Sequence, residues 1–185
     1  MREDIDRILI DESVILNRLD TLAARITEDY RGRELTVIAL LNGSIIFMAD
    51  LLRRIPLPLQ LDCLRVSSYH GGTSSSGEVT FHQTTLPDVK GRHVLLLDDI
   101  LDSGLTMAAV RRRFDQLEPS SLKACVLLKK RKERAVDAEA EYFGFEIGDE
   151  FVVGYGLDYA ERYRNLPYVG VLRPDITEAE PLSDD

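Results

Sequence analysis

The stretch Val94-Leu95-Leu96-Leu97-Asp98-Asp99-Ile100-Leu101-Asp102-Ser103-Gly104-Leu105-Thr106-Met107 decides how the rest of the chain is read. Four aliphatic residues in a row, bounded by Gly91 and by two carboxylates, are too short for a helix core. They predict a strand buried on both faces of a parallel sheet. Asp102, Ser103, Gly104 and Thr106 suit a tight turn, and a helix follows from about Leu105 through Arg113 to Leu117. A strand, a small-residue turn and a helix N-terminus leave several backbone N–H groups without acceptors, with a partial positive charge behind them. That is a seat for a phosphate. Asp98 and Asp99 would repel one, so a ligand that suits both ends has a monophosphate at one end and hydroxyls or a magnesium ion at the other. A phosphorylated ribose has that form. A lone Asp-Asp pair reads as a solvated acidic turn; the aliphatic run, two acids and Ser-Gly-x-Thr in sequence point to the ligand.

Working outward, Leu35–Leu41 is a second aliphatic strand that feeds a helix from Ile45 to about Arg54 through Asn42-Gly43-Ser44, a second plausible anion site. Ile5–Ile10 could form a short strand, and Ile15, Leu16, Leu19, Leu22, Ala23 and Ile26 recur at helical spacing up to Gly32. Leu59–Tyr69 reads as a strand with Leu61, Cys63, Leu64 and Val66 buried. The Gly- and Ser-rich run Gly71–Gly77 that follows holds no fixed structure by itself, and inside a domain it reads as a functional lid, with Val79–Thr85 as the return strand. Ala124–Leu128 and Tyr142–Ile147 are further strands, and Phe151–Tyr159 combines apolar strand character with two glycines and a carboxylate. Alternating strands and helices imply a doubly wound, mainly parallel α/β sheet with binding at the carboxyl ends of its strands. Residues 1–175 form one domain, the terminal segments together could make a small hood, and 176–185 is an acidic frayed tail.

The chain has 185 residues, enough to bury a core without staples, and a formal net charge of −9. That charge argues against generic binding to nucleic acid or to an anionic membrane. The start has no signal-like apolar run, and no stretch approaches membrane-spanning length. Cys63 and Cys125 lie in aliphatic stretches without neighbours at metal or redox spacing, so a reduced, cytoplasmic location is expected. Arg111–Arg113 read as solvated charge on a helix.

The aliphatic strand, two acids and acid-bearing Ser-Gly-x-Thr turn resemble the phosphoribosyl pyrophosphate signature of the phosphoribosyltransferases. The similarity runs over nearly the whole chain and is closest to the hypoxanthine-guanine branch of that family. Leu41-Asn42-Gly43-Ser44 resembles its pyrophosphate loop, Ser67-Ser68-Tyr69 its catalytic lid, and Phe151–Arg164 its purine and pyrophosphate segment. The type I phosphoribosyltransferase fold is therefore expected.

The resemblance implies that a purine N9 attacks C1′ of phosphoribosyl pyrophosphate with loss of pyrophosphate, with Mg2+ as cofactor. Asp98 and Asp99 match the acids at the ribose hydroxyls and, with Asp158, the magnesium site. Asp102 matches the general base beside the imidazole edge, its pKa expected to be raised by the neighbouring phosphate. Ser103, Gly104, Leu105 and Thr106 match the 5′-phosphate cradle, while Leu41, Asn42, Gly43 and Arg164 match the pyrophosphate site. Lys130 matches the donor to the 6-oxo group; Ile100 and Phe151 match the residues that sandwich the ring, and the Val152 backbone matches the group that reads its far edge. Ser68 and Tyr69 belong to the lid. The likeness leaves Lys129, Arg131 and Lys132 as solvated charge, and it implies a cis peptide bond between Leu41 and Asn42 and a homodimer or homotetramer.

This chain departs from the family at Asn42, where many relatives have lysine, and around Lys130, where the segment is more basic and lacks a proline. The rival from another class is an RNA-binding regulator that reuses the fold, which needs a basic face. A phospho-receiver domain lacks the chain length required after the acid pair, and a dinucleotide-binding fold lacks its glycine fingerprint.

Overall fold

A computed structural model describes residues 1–68, 79–82, 86–134 and 136–178. Its centre is a six-stranded sheet in the order β4-β3-β2-β5-β6-β7, where β2 is Leu35–Leu41, β3 Leu59–Ser68, β4 Val79–Phe81, β5 His93–Leu101, β6 Ser121–Lys130 and β7 Tyr142–Ile147. All neighbours run parallel except the edge strand β4. From β2 the chain moves outward to β3 through α2 (Ile45–Leu52); from β5 it moves the opposite way to β6 through α3 (Leu105–Asp115). The reversal opens a crevice beyond the carboxyl ends of β2 and β5, the place where such folds bind ligands.

The aliphatic run behaves as its composition requires. Val94, Leu95, Leu96 and Leu97 are all fully buried, each contributing about 1.5–3 kcal/mol of burial. Successive strand side chains point to opposite faces. Leu95 and Leu97 accordingly join the core under α1 (Glu12–Asp29) and α2, while Val94 and Leu96 join the core under α3. Strand β2 divides likewise, Val37 and Ala39 to one side, Ile38 and Leu40 to the other. The helical spacing of the N-terminal segment is realised in α1, which buries Ile15, Leu19, Leu22, Ala23 and Ile26.

A second sheet of three antiparallel strands forms a hood: β1 (Ile5–Ile10), β9 (Val169–Leu172) and β8 (Val152–Val153), in the order β1-β9-β8. Val152, Val169 and Val171 pack into the main core, whereas Val153, Tyr163, Leu166, Tyr168 and Leu172 make a separate outer cluster.

Three expectations are corrected. Leu61 is 48% exposed rather than buried, because β4 pairs only with Val66–Ser68 and leaves the first half of β3 as the sheet margin. Residues 174–178 form a short helix, α4 (Pro174–Glu178), and Ile176 packs on the outer hood cluster instead of fraying. The arginines of α3 are not all simply solvated: Arg111 donates to the Glu139 carbonyl at 3.1 Å, and the Arg113 guanidinium lies over the Phe81 ring. Tyr69, the Gly71–Gly77 run, the end of the expected return strand and residues 179–185 lie outside the described residues.

Candidate active site

Strand β5 delivers the chain to the crevice, and the turn after it is held tightly. Gly104 has φ +84, in the left-handed region that glycine enters without penalty. A Cβ there would sit 3.0 Å from the Cβ of Ala138 and 3.2 Å from the Val136 carbonyl oxygen, so the segment before β7 packs under the turn. The Leu105 N–H donates to Ser103 Oγ at 3.4 Å, and α3 starts without a side-chain cap. The first N–H groups of the helix thus face the crevice, a ready site for an oxyanion.

Asp98 and Asp99 stand at its floor. The Asp99 N–H donates to Asp98 Oδ1 at 3.0 Å, and the Ile100 N–H to Asp99 Oδ1 at 2.7 Å. Burial and then the adjacent Asp99 charge push Asp98 well above the usual carboxylate range. Burial also raises Asp99, against the lowering effect of its bond to Asp98, the Ile100 N–H and the Arg164 charge. Two such acids ask for a positive or hydrogen-bond-donating ligand.

The loop after β2 closes over them. The Leu41–Asn42 peptide is cis, as the resemblance implies. Gly43 lies so close to Asp99 that a Cβ would fall 1.6 Å from its Oδ2, and a Cβ on Gly156 would fall 2.1 Å from the Gly43 carbonyl oxygen. Arg164 joins the third loop by donating to the Gly156 carbonyl at 2.9 Å and pairing with Asp158 at 2.8 Å. Tyr155, Ala160, Glu161 and Tyr163 all have positive φ in this loop. Each non-glycine residue there costs about 1–2 kcal/mol. Backbone bonds from Tyr155 N to Leu166 O and from Gly156 N to Arg164 O hold the conformation. Strain concentrated beside a cavity is a mark of a functional loop.

A cavity of about 530 Å³ lies between these loops. Of the residues singled out in the sequence it is lined by Leu41, Asn42, Gly43, Asp98, Asp99, Ile100, Asp102, Ser103, Gly104, Thr106, Asp158 and Arg164. Leu105, Lys130, Phe151 and Val152 are not on its wall. Lys130, at the end of β6, is buried but reaches the rim through Asp102, 3.0 Å from its Oδ2. Phe151 is 47% exposed and meets Tyr159 edge-on, while Val152 is buried in β8. Ser67, the first residue of the expected lid segment, also lines the cavity, and the backbone of Ser68 pairs with Val79 at the end of β3.

Burial alone would raise the Asp102 carboxyl, but the ammonium groups of Lys132 and Lys130 outweigh it and hold the carboxyl below its ordinary value. One expectation about charge is overturned: Lys132 and Lys129 are not plain solvated charge. Lys132 lines the cavity and pairs with Asp102 and Asp149, and Lys129 pairs with Glu139 and lies over the Phe143 ring. The run of basic residues hid Lys132. Its spacing from Lys130 was the usable signal, since alternate residues of an extended chain face one way.

Magnesium at Asp98, Asp99 and Asp158 was expected. Among the described residues no three metal-binding side chains converge on one point, and Asp158 is engaged by Arg164. The donor set still fits this ion. Magnesium keeps several waters and takes phosphate oxygens from its substrate, needing only one or two carboxylates from the protein.

A doubly wound sheet whose switch point carries a tight Asp-Ser-Gly turn into a helix, an acid pair and a closing glycine loop defines the phosphoribosyltransferase class. The phosphoribosyl transferase domain model matches residues 9–160, and the chain belongs to that family of transferases. Its relatives are more particular. A hypoxanthine-guanine phosphoribosyltransferase of Streptococcus pneumoniae is 45% identical over 95% of this chain and 98% of its own. A crystal structure of a hypoxanthine phosphoribosyltransferase from Staphylococcus aureus superposes with a TM-score of 0.90 at 43% identity, covering 95% of this chain and 96% of that one. A point mutant of the hypoxanthine phosphoribosyltransferase from Trypanosoma cruzi, determined as a ternary complex with substrates, gives 0.88 at 38% identity over 95% and 99%.

Proposed function

We propose that this chain is a purine salvage enzyme that joins hypoxanthine, and guanine, to phosphoribosyl pyrophosphate, forming the nucleoside monophosphate and pyrophosphate. The observation that carries the reading is the meeting, at one switch point, of the phosphate turn, the acid pair and a base-end pair of Asp102 with Lys130.

The turn from Asp102 to Thr106 would hold the 5′-phosphate through its N–H groups and hydroxyls, and Asp98 with Asp99 would accept from the ribose hydroxyls. The Leu41–Gly43 loop and Arg164 would receive the pyrophosphate. Asp98, Asp99 and Asp158 would share in holding magnesium, which when bound neutralises charge building on the leaving pyrophosphate. C1′ passes through an oxocarbenium-like state, so the base needs proximity and a way to lose a proton rather than a strong push. Asp102 is ionised at neutral pH and ready to accept at the imidazole edge once the lysines yield. Lys130 would then donate to the 6-oxo group. Adenine offers a donor at that position and would leave the buried cation unpaired, so it is rejected.

The test is nucleotide formation from phosphoribosyl pyrophosphate and magnesium with each of four purines. Hypoxanthine and guanine should be converted and adenine should not; failure with every oxopurine would sink the reading. The RNA-binding alternative has no observation in its favour, given the net charge of −9 and enzymes for relatives. A cytoplasmic homodimer or homotetramer goes with the proposal, and light scattering on the eluting protein tests the assembly. Among the described residues no helix is long and apolar enough to cross a membrane.

A further inference from the structure

Within the transfer reading above, on which this inference rests, Lys132 has no task assigned to it. Four charges alternate at the base end of the cavity. Lys130 Nζ lies 3.0 Å from Asp102 Oδ2 and 3.2 Å from Asp149 Oδ1; Lys132 Nζ pairs with Asp102 Oδ1 and lies 2.9 Å from the same Asp149 oxygen. The set is neutral as a whole. It is also graded in exposure, with the Lys130 side chain 9% exposed, Lys132 29% and Asp149 59%.

Base binding sets two demands that this arrangement opposes. Lys130 has to donate to the oxo group, and Asp102 has to face the imidazole edge, yet here the two are paired with each other. Drawing Lys130 away with nothing in its place would leave Asp102, half-buried with its side chain 41% exposed, without a counter-charge at the cavity rim, which is unfavourable though moderated by solvent. The geometry points to Lys132 as the cation that makes the exchange possible: it keeps Asp102 and Asp149 paired while Lys130 turns to the base. Lys132 is therefore a positioning residue for base binding. Its residue type suits the task, since an ammonium is a point charge with three rotatable donors on a flexible stem and can follow two carboxylates at once. Arg134 supports the same segment by donating to the Lys130 carbonyl at 3.2 Å, which fixes the backbone while the lysine side chains exchange.

The experiment compares the wild type with Lys132→Met, Lys132→Arg and Lys132→Met combined with Asp149→Asn. Lys132→Met should raise the KM for hypoxanthine about tenfold, within the coupling expected inside one ion-pair network. The KM for phosphoribosyl pyrophosphate should change less than about twofold. Calorimetry should show a parallel loss of affinity for inosine monophosphate. Lys132→Arg keeps a cation and should retain most of the affinity. The double variant removes the surplus carboxylate, frees Lys130 from one of its two holds and should recover part of the loss.

A rise confined to the KM for phosphoribosyl pyrophosphate would overturn the inference in favour of a phosphate contact. Equal losses for both substrates, a lowered Tm and no recovery in the double variant would reduce Lys132 to a structural prop. If the wild type forms no nucleotide, the transfer reading falls and takes this inference with it. If the wild type is active and Lys132→Met binds the base normally, the inference alone falls.

Discussion

At the scale of single residues, the proposed reaction would use Asp102 as a base while two ammonium groups hold its carboxyl below its ordinary value. A carboxylate so held is fully ionised at neutral pH but a weak proton acceptor, and its strength returns only when a lysine leaves. Asp102→Asn keeps the size and the Ser103–Thr106 turn but cannot accept the proton. Turnover should fall by about 10²–10⁴-fold, the usual span for a positioned acid or base. Affinity for inosine monophosphate should change far less, and equal losses in single-turnover rate and calorimetric affinity would refute the role. The position of Asp102 was legible in the sequence because strand, acid and turn are contiguous. Its charge state was not, since Lys130, Lys132 and Asp149 reach it from a different strand and a later loop. Distance along the chain concealed what the fold brings together.

At the scale of elements, strands and helices followed from local pattern, and contacts between loops did not. Val94–Leu97 and the spacing in α1 each predict burial on known faces, and both are buried as predicted. Leu61 sits in a strand pattern that predicts burial but is exposed, because strand order, not composition, sets where a sheet ends. The packing of Gly43 between Asp99 and Gly156 had no signal beyond the presence of glycines. It carries a sharp consequence: a Cβ 1.6 Å from Asp99 Oδ2 cannot be accommodated unless the acid or the loop moves. Gly43→Ala should raise the KM for phosphoribosyl pyrophosphate by more than about tenfold, as loss of a positioned pyrophosphate contact does. Its circular dichroism should match the wild type.

A second element-level contact fastens α1 to β7, where Tyr142 Oη donates to Asp29 at 2.6 Å. That bond is the first cause of the lowered Asp29 pKa. A carboxyl depressed in the folded state stabilises the fold above its unfolded value, here 3.8, and the contribution is lost as pH falls through the folded pKa. Tyr142→Phe should therefore cost about 1 kcal/mol near neutrality. Urea unfolding should show the difference shrinking below pH 4; a difference independent of pH would contradict the assignment.

At the scale of the whole molecule, the proposed ligand would be divided between two sheets. The six-stranded sheet carries the turn after β5 and the acid pair, while the loop leaving the hood carries Asp158 and Arg164 to the cavity wall, with Phe151 and Val152 lying off it. Only the inner face of the hood belongs to the main core; its outer face rests on the small cluster around Val153. The sequence pattern indicated that the termini meet, but not that the hood would have a core of its own, because β1 and β9 come from opposite ends of the chain. A cluster of five buried residues is the weaker of the two supports, and local opening should begin there. Val153→Asp places an unpaired charge in that cluster, where Val153 is fully buried. The change should lower the protection of β8 and β9 amides against hydrogen exchange while β2 and β5 stay protected. Ribose 5-phosphate, which needs only the turn and the acids, should then bind with near-normal affinity, whereas inosine monophosphate should lose most of the increment that its base adds. Parallel loss of both ligands would mean that hood and sheet open as one unit, and that the division of the site between two cores has no energetic counterpart.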